Sequence, residues 1–247
     1  DMPAIGRLAQ QYGVRVIEDA SHAIGASCRG DPVGRCDHSD ITVFSFHPVK
    51  IITTGEGGMA MTNDDTLAER LQRLRTHGIT RDPAQLLREP DGPWYYEQLE
   101  LGYNYRMTDL QAALGTRQMQ RLDEFVGRRN ALAQRYDELL ADLPLRRPKV
   151  IADAYSSWHL YPIRLQLDKI TRSHREVFEA LRAAGIGVNL HYMPVHLQPY
   201  YDELGFREGM FPEAEAHGND AISLPMFPLL REFDHDTVVT KLRQLLV

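Results

Sequence analysis

Two short segments carry side chains whose types and spacing could do chemistry. In Ser45-Phe46-His47-Pro48-Val49-Lys50, followed by Thr53-Thr54-Gly55-Glu56-Gly57-Gly58, a lysine stands among hydroxyls, small residues and glycines. An amine desolvated in such a loop loses affinity for its proton and becomes a nucleophile. Upstream, Val14-Arg15-Val16-Ile17 is rich in β-branched residues and ends in Glu18-Asp19, which places two carboxylates at the end of an expected strand. A carboxylate beside a pyridine nitrogen keeps that nitrogen protonated, and together with a lysine it makes the pair that pyridoxal phosphate (PLP) chemistry requires. Each residue also has a plainer reading, Lys50 as a solvated surface charge and Asp19 as a turn former. Residue type alone leaves both open.

His191, Tyr192 and His196 could be taken for metal ligands. Two histidines five positions apart on a strand followed by proline do not share a face, and no carboxylate lies at ligand spacing, so no metal is expected. Cys28 and Cys36 are too few for a disulfide framework and wrongly spaced for a zinc knuckle, and read as reduced thiols.

The elements that must position Asp19 and Lys50 follow from periodicity. Ile5, Leu8, Ala9 and Tyr12 repeat at helical spacing and Gly13 ends that helix. Strands are expected over 14–19, 41–46 and 58–62, then a helix over 64–75 capped by Asn63 or Asp64. Such alternation predicts an α/β sheet covered on both faces, with ligands gathering beyond the carboxyl ends of its strands, where Asp19 and the 45–50 loop fall. Thr108 and Gln111 match a capping box, and one long helix is expected from there to about Leu140, bent at Gly115 or Gly127. A connection over 142–155, strands over 159–165 and 187–191, and helices over 173–184 and 234–247 compose a second unit, with the boundary near Met107: residues 1–107 and 108–247.

Composition excludes several classes of function. Lys and Arg number 28 against 34 Asp and Glu, a net charge of -6, so nothing draws the chain to nucleic acid or to an anionic membrane surface. No apolar run approaches the roughly 20 residues that span a bilayer, and the first residues show no signal peptide. A cytoplasmic protein is expected. The chain opens on Asp1 in what reads as the middle of a helix-strand unit, which suggests preceding sequence.

Three ordered segments carry a resemblance. Val16-Ile17-Glu18-Asp19-Ala20-Ser21-His22-Ala23-Ile24-Gly25-Ala26, Ser45 to Lys50, and Gly102-Tyr103-Asn104-Tyr105-Arg106-Met107-Thr108-Asp109 resemble motifs of the DegT/DnrJ/StrS-type sugar-nucleotide aminotransferases. The resemblance implies an α/β, aspartate-aminotransferase-like large domain of PLP fold type I, lacking the amino-terminal third of the family's chain, plus a smaller α+β carboxy-terminal domain. Thr76 to Arg81, Pro93 to Tyr96, His191 to Tyr201 and Ser223 to Pro228 look most like the branch that aminates C4 of a UDP-linked 4-keto-6-deoxy-N-acetylhexosamine with L-glutamate, yielding 2-oxoglutarate, in pseudaminic-acid synthesis.

Position by position, the resemblance implies Lys50 as the Schiff-base lysine and proton carrier, and Asp19 as partner of the pyridinium. It implies His22 on the cofactor's 3-hydroxyl, Ser45 on its phosphate, and Asn104 reaching that phosphate from a second copy, hence a homodimer. His77, Arg81, His191, Tyr192 and His196 are candidate substrate contacts. Two rivals remain. A sugar dehydratase of the same fold carries His where this chain has Lys50, and a non-catalytic or inactive truncated chain would keep the fold without the reaction.

Overall fold

The computed structural model describes all residues from Asp1 to Val247, and by internal contacts they form two compact units. The first comprises 1–123 with 153–157, and the second 124–152 with 158–247. The division falls inside a helix after Asp123, whereas the boundary expected from sequence lay near Met107.

In the first unit, α1 (Met2–Tyr12) is capped by the Asp1 carboxylate and closed by Gly13 at φ 63°, a left-handed conformation that glycine adopts without a Cβ penalty. β1 (Ile17–Asp19) begins three residues later than the β-branched run suggested. The Val14 amide is used in closing α1, on Ala9 O at 3.0 Å, and the Val16 amide donates to the Asp40 carboxylate at 2.7 Å. Neither is available to a ladder. A small antiparallel sheet comes next, in which β2 (Ser27–Cys28) lies between β3 (Asp31–Pro32) and a later strand. β4 (Ile41–Ser45) pairs in parallel with β1, with Asp19 opposite Val43, and antiparallel with β5 (Gly58–Met61). Phe44, Phe46, Ile51 and Ile52 are buried under this sheet, and each fully buried large apolar side chain contributes roughly 1.5–3 kcal/mol.

α2 (Asp65–Leu74) is capped by Asp64, whose carboxylate accepts from the Thr66 and Leu67 amides. A two-stranded ribbon, β6 (Ile79–Thr80) with β7 (Glu97–Gln98), leads to α3 (Asp109–Met119), where the Thr108–Gln111 capping box forms as expected. The single long helix does not form. The chain breaks at Gln120 and Arg121, where the Arg121 amide turns onto Gln118 O at 2.9 Å, and α4 (Leu122–Leu139) starts afresh. Neither glycine makes the break. Gly115 is instead a close-approach point, because a Cβ there would stand 2.7 Å from Thr54 Cγ2.

The second unit has the larger core. β8 (Leu145–Arg146) lies within the segment expected to be a plain connection. So does β9 (Ala154–Tyr155), which belongs to the first unit and pairs there with β2. β10 (Tyr161–Leu165) is the centre of an antiparallel sheet, between β8 and β11 (Ala221–Leu224). Its alternating burial reflects one face on the core. α5 (His174–Ala183) has a second full capping box, Ser173 with Glu176. The strand expected over 187–191 is reduced to one bridge, Asn189 opposite Ser223, because Asn189 Oδ1 accepts the next amide, that of Leu190, at 2.9 Å. Three elements were not foreseen: α6 (Pro199–Glu203), α7 (Pro212–Asp220) and β11 (Ala221–Leu224). α8 (Glu232–Leu246) closes the chain and buries Val238, Val239, Leu242, Leu245 and Leu246 against Leu132, Tyr136, Ile163, Leu181 and Ile222.

The Arg129 guanidinium is buried in this unit, where its Nη1 donates to the carbonyls of Trp158, His159 and Met226 at 2.9–3.2 Å. Burial pushes its pKa down to about 10. No helix is long and apolar enough to cross a membrane.

Candidate active site

β1 and β4 run parallel, so their carboxyl ends lie side by side, and the segments leaving those ends are brought to one place. Asp19 is the last residue of β1 and Ser45 the last of β4. After Ser45 the chain turns sharply. Ser45 Oγ accepts from the His47 amide at 3.4 Å, and the Lys50 amide donates to His47 O at 2.9 Å. Ile51 and Ile52 then plunge into the core, which fixes the backbone just beyond the lysine. The loop closes where the Thr54 amide meets Phe46 O at 3.0 Å and the Phe46 amide meets Gly57 O at 2.8 Å.

Asp19 Oδ1 accepts from both the amide and the hydroxyl of Ser21, at 3.0 and 2.5 Å. Those two bonds, with smaller help from His22 and Lys50, hold the carboxyl below its ordinary range, so Asp19 is an anion at neutral pH. Lys50 is half-buried, and desolvation lowers its pKa from the usual lysine value while the charge of Asp19 pulls it back up. The two side chains therefore feel each other's charge across the ends of neighbouring strands. An ionised carboxylate and a partly desolvated amine at one sheet edge, with Ser45 at the end of β4, are the groups that would hold the ring nitrogen, aldehyde carbon and phosphate of PLP. On that observation the residues fit the cofactor.

The remaining expected residues fall in separate places. His22 is exposed just beyond Asp19, and its carbonyl accepts from Ser157 Oγ at 3.0 Å. His77, at φ 58°, and Arg81 flank β6, with Arg81 lying 5.6 Å above the Tyr96 ring. Asn104 is exposed on a segment bridged to Thr76, between Tyr103 and Tyr105, whose rings stack at 4.9 Å. In the second unit, His191 Nδ1 and Ser223 Oγ are 2.8 Å apart, and the exposed Tyr192 meets the His191 ring edge-on. His196, the third candidate of this segment, is drawn inward. It is 8% exposed, its Nε2 lies 2.8 Å from Glu215, and Phe211 packs on its ring. That nitrogen is committed to an internal clamp, since Glu215 also accepts from the Gly209 and Phe211 amides.

Sequence reasoning passed over Ser21, although a hydroxyl two residues past an Asp is a recognisable turn signal. Ser223 and Glu215, partners of His191 and His196, gave no signal, because both pairings join distant parts of the chain. No group of three or more His, Cys, Asp or Glu side chains is placed to hold a metal ion, and Cys28 and Cys36 are free thiols.

Comparison with known proteins gives a consistent picture. The profile of the DegT/DnrJ/EryC1/StrS aminotransferase family matches residues 1–243. The spore coat polysaccharide biosynthesis protein SpsC of Bacillus subtilis is 38% identical over 248 residues, covering 99% of this chain and 63% of SpsC. PseC of Helicobacter pylori, an aminotransferase involved in the biosynthesis of pseudoaminic acid, superposes with a TM-score of 0.89 at 27% identity, over 100% of this chain and 63% of PseC. Spr1654 of Streptococcus pneumoniae, solved in a PLP-form, superposes with a TM-score of 0.82 at 29% identity, over 97% of this chain and 61% of that one. The chain thus spans about 63% of the length of the curated relatives it matches.

Proposed function

The chain belongs to the DegT/DnrJ/EryC1/StrS aminotransferase family, and from that premise we propose that the protein is a PLP-dependent sugar aminotransferase. In the finer reading, it moves the amino group of L-glutamate to C4 of a UDP-linked 4-keto-6-deoxy-N-acetylhexosamine, in pseudaminic-acid or related surface-glycan biosynthesis. The fold is the aspartate-aminotransferase-like α/β fold of its structural neighbours, and the family's cofactor is PLP. The observation that carries the reading is Asp19, the last residue of β1, with Lys50 in the loop that leaves the parallel neighbour β4, each acting on the other's charge. The likeness to PseC and SpsC supports a substrate of the surface-glycan kind.

Bound PLP supplies an aldehyde for an amine to join and a protonated ring that accepts electrons from the substrate carbon. Asp19, kept ionised by Ser21, holds the proton on the ring nitrogen. Lys50 is the amine that would hold the cofactor's aldehyde carbon. With its pKa lowered by burial, Lys50 would be the base that takes the proton from the glutamate Cα. The same lysine works in the opposite direction when the ketosugar enters, so initial rates follow a ping-pong pattern. Ser45 and His22 are the cofactor's phosphate and ring-hydroxyl contacts, and Asn104 reaches the phosphate of a second copy. Leu101 and Leu110, exposed at 89% and 86% on either side of Asn104, support such a second copy as their cover. His77, Arg81, His191 and Tyr192 are proposed substrate contacts on the resemblance of their segments.

The test is 2-oxoglutarate formation from glutamate with a panel of 4-keto nucleotide sugars, using the complete protein. Wild type should turn over the 4-keto-6-deoxy-N-acetylhexosamine best, and Lys50→Ala should be inactive. Equal turnover by Lys50→Ala would remove the lysine from its role, and no turnover of any sugar would favour a non-catalytic chain.

A further inference from the structure

α3 is an unusual helix for its position, because it buries only one residue, Gly115, and leaves Leu110 and Leu114 exposed. An apolar stripe therefore does not seat it in the first unit. Three residues at one-face spacing, 111, 115 and 118, touch the loop that carries Lys50. Gln118 Oε1 accepts from the Thr53 amide at 3.0 Å. Gln111 Nε2 donates to Glu56 O at 3.0 Å. Between them Gly115 lets Thr54, only 3% exposed, come so close that a Cβ would be 2.7 Å from its methyl group.

The two glutamines do different things. The loop's own bonds join Thr54 to Phe46, Gly57 to Phe46 and Thr54 Oγ1 to Glu56 O, but leave the Thr53 amide to Gln118. Gln111 is shared, since its Oε1 accepts from the Thr108 amide and hydroxyl to close the helix cap while its Nε2 reaches the loop. The start of α3 is thereby tied to the backbone six residues past Lys50.

We infer that Gln118, Gln111 and Gly115 form a brace on the back of the 50–57 loop, with Gln118 as a positioning residue that keeps Lys50 turned into its half-buried place beside Asp19. The inference rests on Lys50 being the reactive amine of the proposed function. Gln118 touches neither cofactor nor substrate and acts through Thr53, Ile52 and Ile51. A leucine at 118 fills similar space but leaves the Thr53 amide without its acceptor, so the loop relaxes toward water and Lys50 is better solvated.

The experiment reads Lys50 directly. Purified protein, freed of bound PLP with hydroxylamine, is arylated with trinitrobenzenesulfonate across a range of pH, and modification at the Lys50 peptide is followed by mass spectrometry. In parallel, PLP capture is measured as the borohydride-fixed adduct at Lys50. Gln118→Leu should move the arylation midpoint to higher pH and slow capture by roughly three- to tenfold, the loss expected for one part-buried hydrogen bond. Gln118→Glu, which keeps an acceptor oxygen at the same reach, should restore both when read in high salt, which screens the charge it adds. Gln111→Glu keeps the helix cap, removes the donor to Glu56 O and adds a charge that is screened by reading the midpoint in high salt, so it tests the brace even if Gln118→Leu does not fold, and it should still move the midpoint the same way.

An unchanged midpoint in folded Gln118→Leu or in Gln111→Glu, or a failure of Gln118→Glu to restore it, overturns the brace. If wild type captures no PLP while the midpoint still responds to these variants, the brace stands and the cofactor role of Lys50 falls.

Discussion

The proposed chemistry turns on two titrating side chains, each under the influence of the other's charge. Asp19 is lowered mainly by the Ser21 hydroxyl and amide, and Lys50 is lowered by burial against an opposing pull from Asp19. Removing the charge at position 19 takes away the attraction that favours protonated Lys50. In Asp19→Asn the lysine should therefore lose its proton at lower pH than in wild type, seen as a downward shift of the Lys50 arylation midpoint. That sign is opposite to the one expected for the α3 brace variants, so the two effects cannot be confused. An upward shift, or none, would show that Asp19 and Lys50 are not electrostatically coupled in solution. Turnover of the same variant should fall by orders of magnitude, because an amide cannot hold the ring nitrogen cationic.

At the scale of elements, the second unit depends on one buried cation. Arg129 on α4 supplies the carbonyls of Trp158, His159 and Met226 from a single nitrogen, and so ties together the start of β10 and the segment after β11. Arg129→Met keeps the apolar stem but leaves those three carbonyls without their donor. A loss of about 2–4 kcal/mol in urea unfolding is expected, with the transition otherwise intact. A change below about 0.5 kcal/mol would mean that water replaces the guanidinium at no cost. The capping boxes at Thr108 and Ser173 are local contributions by comparison, each typically worth about 1 kcal/mol.

At the scale of the whole protein, Asn104 is proposed to serve the site of a second copy, an arrangement that no single-site variant can imitate. Lys50→Ala and an inactive Asn104 variant, each dead alone, should complement when unfolded together and refolded. In a mixed dimer one site receives both defects and the other neither. Random pairing makes half of the dimers mixed, so activity should return to about a quarter of wild type. No recovery would place Asn104 in its own subunit's site or outside the site altogether.

Much of this was legible along the chain because it is local. Helix caps at Asp64 and Thr108, the stop at Gly13, the strand ending at Asp19 and the turn into Lys50 depend on residues within a few positions of one another, and the motifs around Asp19, Ser45 and Asn104 carried the family resemblance. What the tertiary structure decided is what distant residues do to each other. Asp40 took the Val16 amide and shortened β1, docking against Thr54 employed Gly115 as a contact where a bend was expected, and Glu215 drew His196 into an internal pair. The parallel register of β1 and β4 is of the same kind. Periodicity can place a carboxylate and an amine each at a strand's end, but only backbone hydrogen bonding between strands more than twenty residues apart makes those ends neighbours.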